Sequence, residues 1–159
     1  MSAIRKMLAA LSATIVLASP GAPAAWAQSA THMMVMPDEL VWTDMPTLPA
    51  GAKVAIIEGP LNEPVPFTLR LKLPANYEIP AHWHPWIEHA TVISGTLNMG
   101  TGDKLDRSKT KALSAGSVAI IQPKTNHFSW TNEETIVQVH GVGPLVIHYV
   151  NPADDPRNK

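Results

Sequence analysis

The stretch AHWHPWIEH, residues 81–89, holds three of the chain's seven histidines together with one glutamate and two tryptophans. Imidazoles and a carboxylate are expensive to bury singly, and a solvated loop has no need of them. His82 and His84 are two positions apart, so on an extended chain both rings project to one face. Pro85 and Trp86 read as a tight turn between two strands. Beyond it Glu88, Ala90 and Val92 share one face, and His89, Thr91 and Ile93 the other. With Ala90 and Val92 turned to the core, Glu88 goes inward too. A divalent cation would neutralise and order a buried carboxylate beside two buried imidazoles. This N,O donor set suits one divalent transition metal, Fe, Mn, Zn, Ni or Cu, and is close to the facial triad. A fourth ligand must come from another strand. His127, in AGSVAIIQPKTNHFSW, follows an apolar run and a turn, and is the candidate.

The elements that position these residues read as strands. KVAIIEG, PFTLRLKLP, HATVISGTLNMG, KALSAGSVAIIQP, NHFSWTNEETIVQVHG and PLVIHYV are short β-branched runs bounded by Gly, Pro, Asn or Asp. No apolar 3.6-residue period is long enough for a core helix. Short strands without intervening helices predict an all-β antiparallel sandwich or barrel. Residues 28–50 read as an N-terminal arm with at most one strand, at ELVWTDM. Residues 51–150 form the single domain, 100–112 a solvated hairpin loop, and 151–159 a polar tail on the surface or frayed.

The histidine pattern resembles that of the cupins. The first cupin motif runs His-x-His, three or four residues, Glu, six residues, Gly; here it is His82, His84, Glu88 and Gly95. The second runs from Gly to a His 11 positions on, matched by Gly116 and His127. The resemblance covers about residues 52–150 and implies a double-stranded β-helix, or jelly roll, with a metal on His82, His84, Glu88 and His127. Four departures concern turns and none removes a ligand. Asn76 replaces the opening glycine, Gln122 and Lys124 stand where Pro and Gly are usual, and Thr131 replaces the closing Asn.

Other residues are less informative. His89, of opposite parity to Glu88, reads as a surface or supporting histidine. His140 and His148 read as hydrogen-bonded strand histidines, and Trp83 and Trp130 as core or sheet surface. Trp86 either lines the pocket mouth or packs in the core. Tyr77 and Glu78 precede the cluster and are available for acid–base work, but no spacing singles out a catalytic residue.

The first 27 residues have Arg5 and Lys6, an apolar run from Met7 to Ala18, and an Ala25-Trp26-Ala27 ending. A basic head, a short apolar stretch and a small-x-small end form a secretory signal peptide, with cleavage expected after Ala27. The apolar run is well short of the about 20 residues that span a bilayer. Export to the periplasm or the medium follows, and a chain with no cysteine is safe there. Loss of Arg5 and Lys6 takes the 12 basic residues to 10 against 13 acidic ones, a balance of −3. That mild acidity argues against nucleic acid and against anionic membrane surfaces as partners.

Three neutral ligands and one anion leave a divalent site with a charge of +1, which favours an anionic or enolisable small molecule. Four protein ligands leave about two octahedral positions for water, a chelating oxygen substrate or dioxygen. Two classes fit: a metal-dependent oxygenase, isomerase or lyase, and a non-catalytic periplasmic cupin that binds a metal or small molecule. Apolar side chains expected on outer faces, Ile93 and Leu97 among them, predict a homodimer.

Overall fold

The structure, a computed structural model, describes residues 32–159. The expected signal peptide and the first residues of the arm lie outside the described residues. The compact unit Val35–Lys159 contains eleven strands: β1 (Thr43–Asp44), β2 (Lys53–Glu58), β3 (Pro66–Leu73), β4 (Glu78–Trp83), β5 (Glu88–Ser94), β6 (Thr96–Thr101), β7 (Lys111–Ser114), β8 (Val118–Ile121), β9 (His127–Trp130), β10 (Thr135–Val142) and β11 (His148–Tyr149). They form two antiparallel sheets, ordered β1-β2-β3-β10-β5-β8 and β11-β4-β9-β6-β7. Among the described residues no helix is long and apolar enough to cross a membrane.

Strands that are neighbours in sequence mostly lie in opposite sheets. β4 and β5, read from the sequence as two strands about a turn, are not paired; bends at Pro85 and Trp86 carry the chain from one sheet to the other. HATVISGTLNMG, one run of text, is likewise two strands broken at Gly95, whose φ is +74°. A β-carbon there would stand 2.6 Å from the Glu134 carbonyl oxygen, so no other residue fits this corner without a shift. Period-2 burial marks the larger sheet: Phe67, Leu69 and Leu73 of β3 and Val137 and Val139 of β10 are buried with Ala90 and Val92 of β5.

Several expectations are corrected. Leu97 is 3% exposed and belongs to the core rather than an outer face. Ile93, Val118 and Ile120 are the exposed apolar residues at this edge of the larger sheet. PLVIHYV is not a strand throughout; only His148 and Tyr149 pair, and 144–147 run irregularly along the interior. Of the two expectations for the tail, surface or frayed, the surface one agrees with the structure. Asn151 and Asp155 cap two 3-10 turns, and Arg157 donates to the Ile147 carbonyl at 3.0 Å. The 100–112 loop joins β6 to β7 as expected, with a short turn at Arg107–Lys109.

Two buried tyrosines fasten the arm. Tyr77 donates its hydroxyl hydrogen to the Pro49 carbonyl, and Tyr149 to that of Thr47 at 2.9 Å. Burial pushes both phenols above their ordinary range, so both remain donors.

Candidate metal centre

His82 reaches the interior through a bulge. Ile79 and His82 are three apart on β4, which alternation would send to opposite faces, yet both line the interior cavity. The pairing of β4 with β9 shifts between Ile79 and His82, so Pro80 and Ala81 absorb the extra step. The Pro80 carbonyl then accepts from His82 Nδ1 at 2.7 Å. His84 follows just past the end of β4 and its Nδ1 donates to the Val146 carbonyl at 2.7 Å. His127 opens β9 opposite His82, and its Nδ1 donates to the Thr125 carbonyl at 2.9 Å. Glu88 opens β5 on the facing sheet with its side chain buried. The four candidates therefore come from both sheets and one crossover.

A carbonyl only accepts, so each Nδ1 carries the hydrogen and each neutral ring presents a bare Nε2. The three histidines offer nitrogens within 4.8 Å of one another. Nε2 of His84 and of His127 each stand 3.3 Å from Glu88 Oε2. That oxygen is buried without a hydrogen-bond partner. With all three rings neutral, three lone pairs and a carboxylate thus converge without a donor between them, which a cation satisfies and a water molecule, with two hydrogens, does only in part. Three buried imidazoles in this arrangement can hold a metal ion, and the donor set fits one. Each carbonyl behind a ring is the kind of outer partner that fixes tautomer and aim in metal sites.

In the metal-free site a proton on His127 is the alternative to a cation. Burial, followed by the neighbouring His127 and His84, pushes His82 down to about 3, so it is neutral, with a lone pair free for a metal, at ordinary pH. Burial works to raise the Glu88 carboxyl, but contact with His127 and His84 outweighs it and holds it well below the usual carboxylate range. Burial works to lower His127; Glu88 beside it and the Thr125 carbonyl outweigh that and raise it.

The site opens into a cavity of about 530 Å³. Trp86 does both things expected of it. It is 9% exposed, packs edge-on against Phe67 with ring centroids 5.1 Å apart, and lines the cavity beside His84. Gly141 makes room for it, since a β-carbon there would meet the indole at 2.8 Å. Two parts of the wall escaped sequence reasoning: Thr43–Leu48 of the arm, and the 144–147 segment whose Val146 carbonyl holds His84. The only signal for either was a short apolar run interrupted by proline.

The remaining candidates lie elsewhere. His89 faces outward and stacks on His140, its cross-strand partner, at 5.0 Å and 9°. A ring stack, rather than the expected hydrogen bond, occupies His140. His148 is exposed and stacks on Trp83. Trp130 is on the sheet surface beneath Arg107. Tyr77 holds the arm and Glu78 pairs with Arg107 at 2.8 Å, so neither lines the cavity.

No family model and no curated protein matches the sequence. Solved structures match the fold. The polyketide cyclase RemF from Streptomyces resistomycificus superposes with a TM-score of 0.65 at 15% identity, over 79% of this chain and 90% of that one. A putative acetylacetone dioxygenase from Methylibium petroleiphilum PM1 gives 0.59 at 14%, over 80% and 87%. An RmlC-like cupin from Shewanella frigidimarina gives 0.56 at 14%, over 70% and 91%. The chain has the cupin fold, a single double-stranded β-helix. The likeness is one of fold.

Proposed function

We propose that His82, His84, Glu88 and His127 hold one divalent transition metal, whose open positions take a small oxygenated molecule. The observation that carries this is the convergence of three Nε2 lone pairs and an unpartnered Glu88 oxygen, each imidazole fixed from behind by a backbone carbonyl. A metal there would supply Lewis-acid polarisation or oxygen activation. The residues' own part is to present neutral nitrogens, supply one negative charge, and surround the bound molecule with apolar walls that exclude water. Two similar structures are described as a polyketide cyclase and a putative acetylacetone dioxygenase, and small oxygenated substrates of that kind suit such a site. Turnover by anaerobically prepared iron and manganese forms, against a panel of phenols and enolisable ketones, tests the enzymatic reading as oxygenase, isomerase or lyase. Oxygen uptake or product formation supports it.

One observation favours a non-catalytic binder. Among the described residues, Tyr77 and Glu78 stand outside the cavity, and Asp44, the one carboxylate lining it besides Glu88, is paired with Lys53 at 2.6 Å. Stoichiometric binding without turnover in every metal form is the outcome expected of a binder.

Export is part of the proposal and rests on the sequence of residues 1–27. The intact mass of the exported protein should correspond to a chain starting at Gln28; retention of Met1 would refute it. Self-association rests on the exposed Ile93, Val118 and Ile120, and a monomeric mass by light scattering at micromolar concentration would refute that.

A further inference from the structure

We infer that the molecule this site takes has one chelating oxygen-bearing end and an uncharged, largely hydrocarbon remainder. The inference rests on the metal reading above and narrows it, since a charge of +1 at the metal by itself admits any anion. The cavity wall does not. Among the described residues lining it there is no lysine and no arginine. The carboxylates are Glu88, committed to His84 and His127, and Asp44, which pairs with Lys53 at 2.6 Å.

The wall is instead made of side chains such as Leu69, Leu73, Leu97, Met99 and Val139, contributed by both sheets. Its volume of about 530 Å³ falls within the range of small-molecule pockets, roughly 300–1,000 Å³. A metal-binding head group uses only a fraction of that space, so the rest must be filled by the body of the ligand. A second carboxylate or a phosphate carried on that body would be buried with no cation to meet it, which is strongly unfavourable. The neutral polar side chains of the wall, Thr43, Thr47, Asn62 and Ser129, can meet an isolated oxygen, but a sugar acid would set most of its hydroxyls against the apolar side chains that make up the rest. A hydrocarbon body suffers neither penalty and gains from leaving water.

Three probes with one head group separate tail chemistry from metal binding. Acetohydroxamic acid, hexanohydroxamic acid and adipic acid monohydroxamic acid chelate a metal alike and differ only in the tail. Their affinities for zinc-loaded protein are measured by calorimetry, with zinc content determined on the same samples. We expect the six-carbon chain to bind at least about 30-fold more tightly than the two-carbon one, since each methylene fully removed from water contributes about fourfold and the four extra methylenes need be only partly buried to reach that. The adipic compound should lose most of that gain. Leu61→Arg, on the cavity wall, should keep full zinc and move the preference from the hexanoyl towards the adipic compound. Equal affinity of all three for zinc-loaded protein, or a preference for the adipic compound, would overturn the inference while leaving metal binding intact. Failure at the metal is recognised separately: zinc is then absent. In that case the neutral fluorophore N-phenyl-1-naphthylamine is titrated into metal-free protein. Its binding, with competition by hexanoic amide and none by adipate, supports the apolar wall; no binding overturns it.

Discussion

Glu88 Oε2 stands 3.3 Å from Nε2 of His127, the nitrogen left bare when Nδ1 donates to the Thr125 carbonyl. Once His127 is neutral, these two buried acceptors have no donor between them and are destabilising unless a cation sits there. Glu88→Gln tests this. The amide can donate to a bare Nε2, so at pH 8 metal-free variant should be about 1 kcal/mol more stable than metal-free wild type. Metal affinity should fall by more than about 100-fold, because a charged ligand is lost rather than an outer partner. Chemical denaturation and competitive metal titration read the two effects. A variant less stable without metal and unchanged in affinity would contradict the arrangement.

The candidate ligand types and their spacing were legible because metal chemistry demands particular side chains at particular intervals, and period-2 alternation turns Glu88 inward with Ala90 and Val92, all three of which are buried. The bulge at Pro80 and Ala81 was not legible. Nothing in EIPAHW marks a register shift, although it decides that Ile79 and His82 face the same way. The wall at 144–147 was misread for a related reason. Its β-branched residues suit a strand, but strand formation needs a ladder, and here the Val146 carbonyl meets the His84 imidazole while the Leu145 amide donates to the Leu61 carbonyl. Leu97 was placed outside because the break at Gly95 resets the alternation that was carried on from β5.

Metal-free protein should be most stable near pH 6.5. His127, raised in the folded state, contributes stability that is full below the ordinary histidine value of 6.5 and is lost as pH rises through its folded value. His82, lowered to about 3, contributes stability present above 6.5 and lost as pH falls from there. The depressed Glu88 adds to the loss at still lower pH. Metal displaces the His127 proton, so metal-loaded protein should hold its melting temperature between pH 6.5 and 8 while the metal-free form declines. Thermal melts across pH 4–9 check this. A metal-free melting temperature that climbs steadily from 6.5 to 8 would contradict it.

Asn76 and Lys124 occupy positions where related motifs carry glycine, and both keep the left-handed backbone, at φ of +57° and +62°. Asparagine tolerates that conformation better than lysine. Lys124→Gly should therefore stabilise the protein by roughly 0.5–1 kcal/mol, the relief of left-handed strain less glycine's greater entropy when unfolded. Asn76→Gly should change it by less. The Lys124 amide also donates to the His84 carbonyl at 2.7 Å, tying the two motifs together, and glycine keeps that bond. Urea midpoints of the two variants measure the difference, and destabilisation by Lys124→Gly would show that the backbone there is not strained.

Elemental analysis of wild type, His84→Ala and His89→Ala, purified side by side after loading with one metal, bears on the whole site. His84 faces the cavity and His89, on the other face of β5, stacks on His140. We expect about one metal per chain in wild type and in His89→Ala. His84→Ala should lose most of it, and its melting temperature in excess metal should fall towards that of the metal-free protein. Full metal in His84→Ala with loss in His89→Ala would move the site to the outer face of the sheet, and no metal in wild type under any loading would remove it altogether.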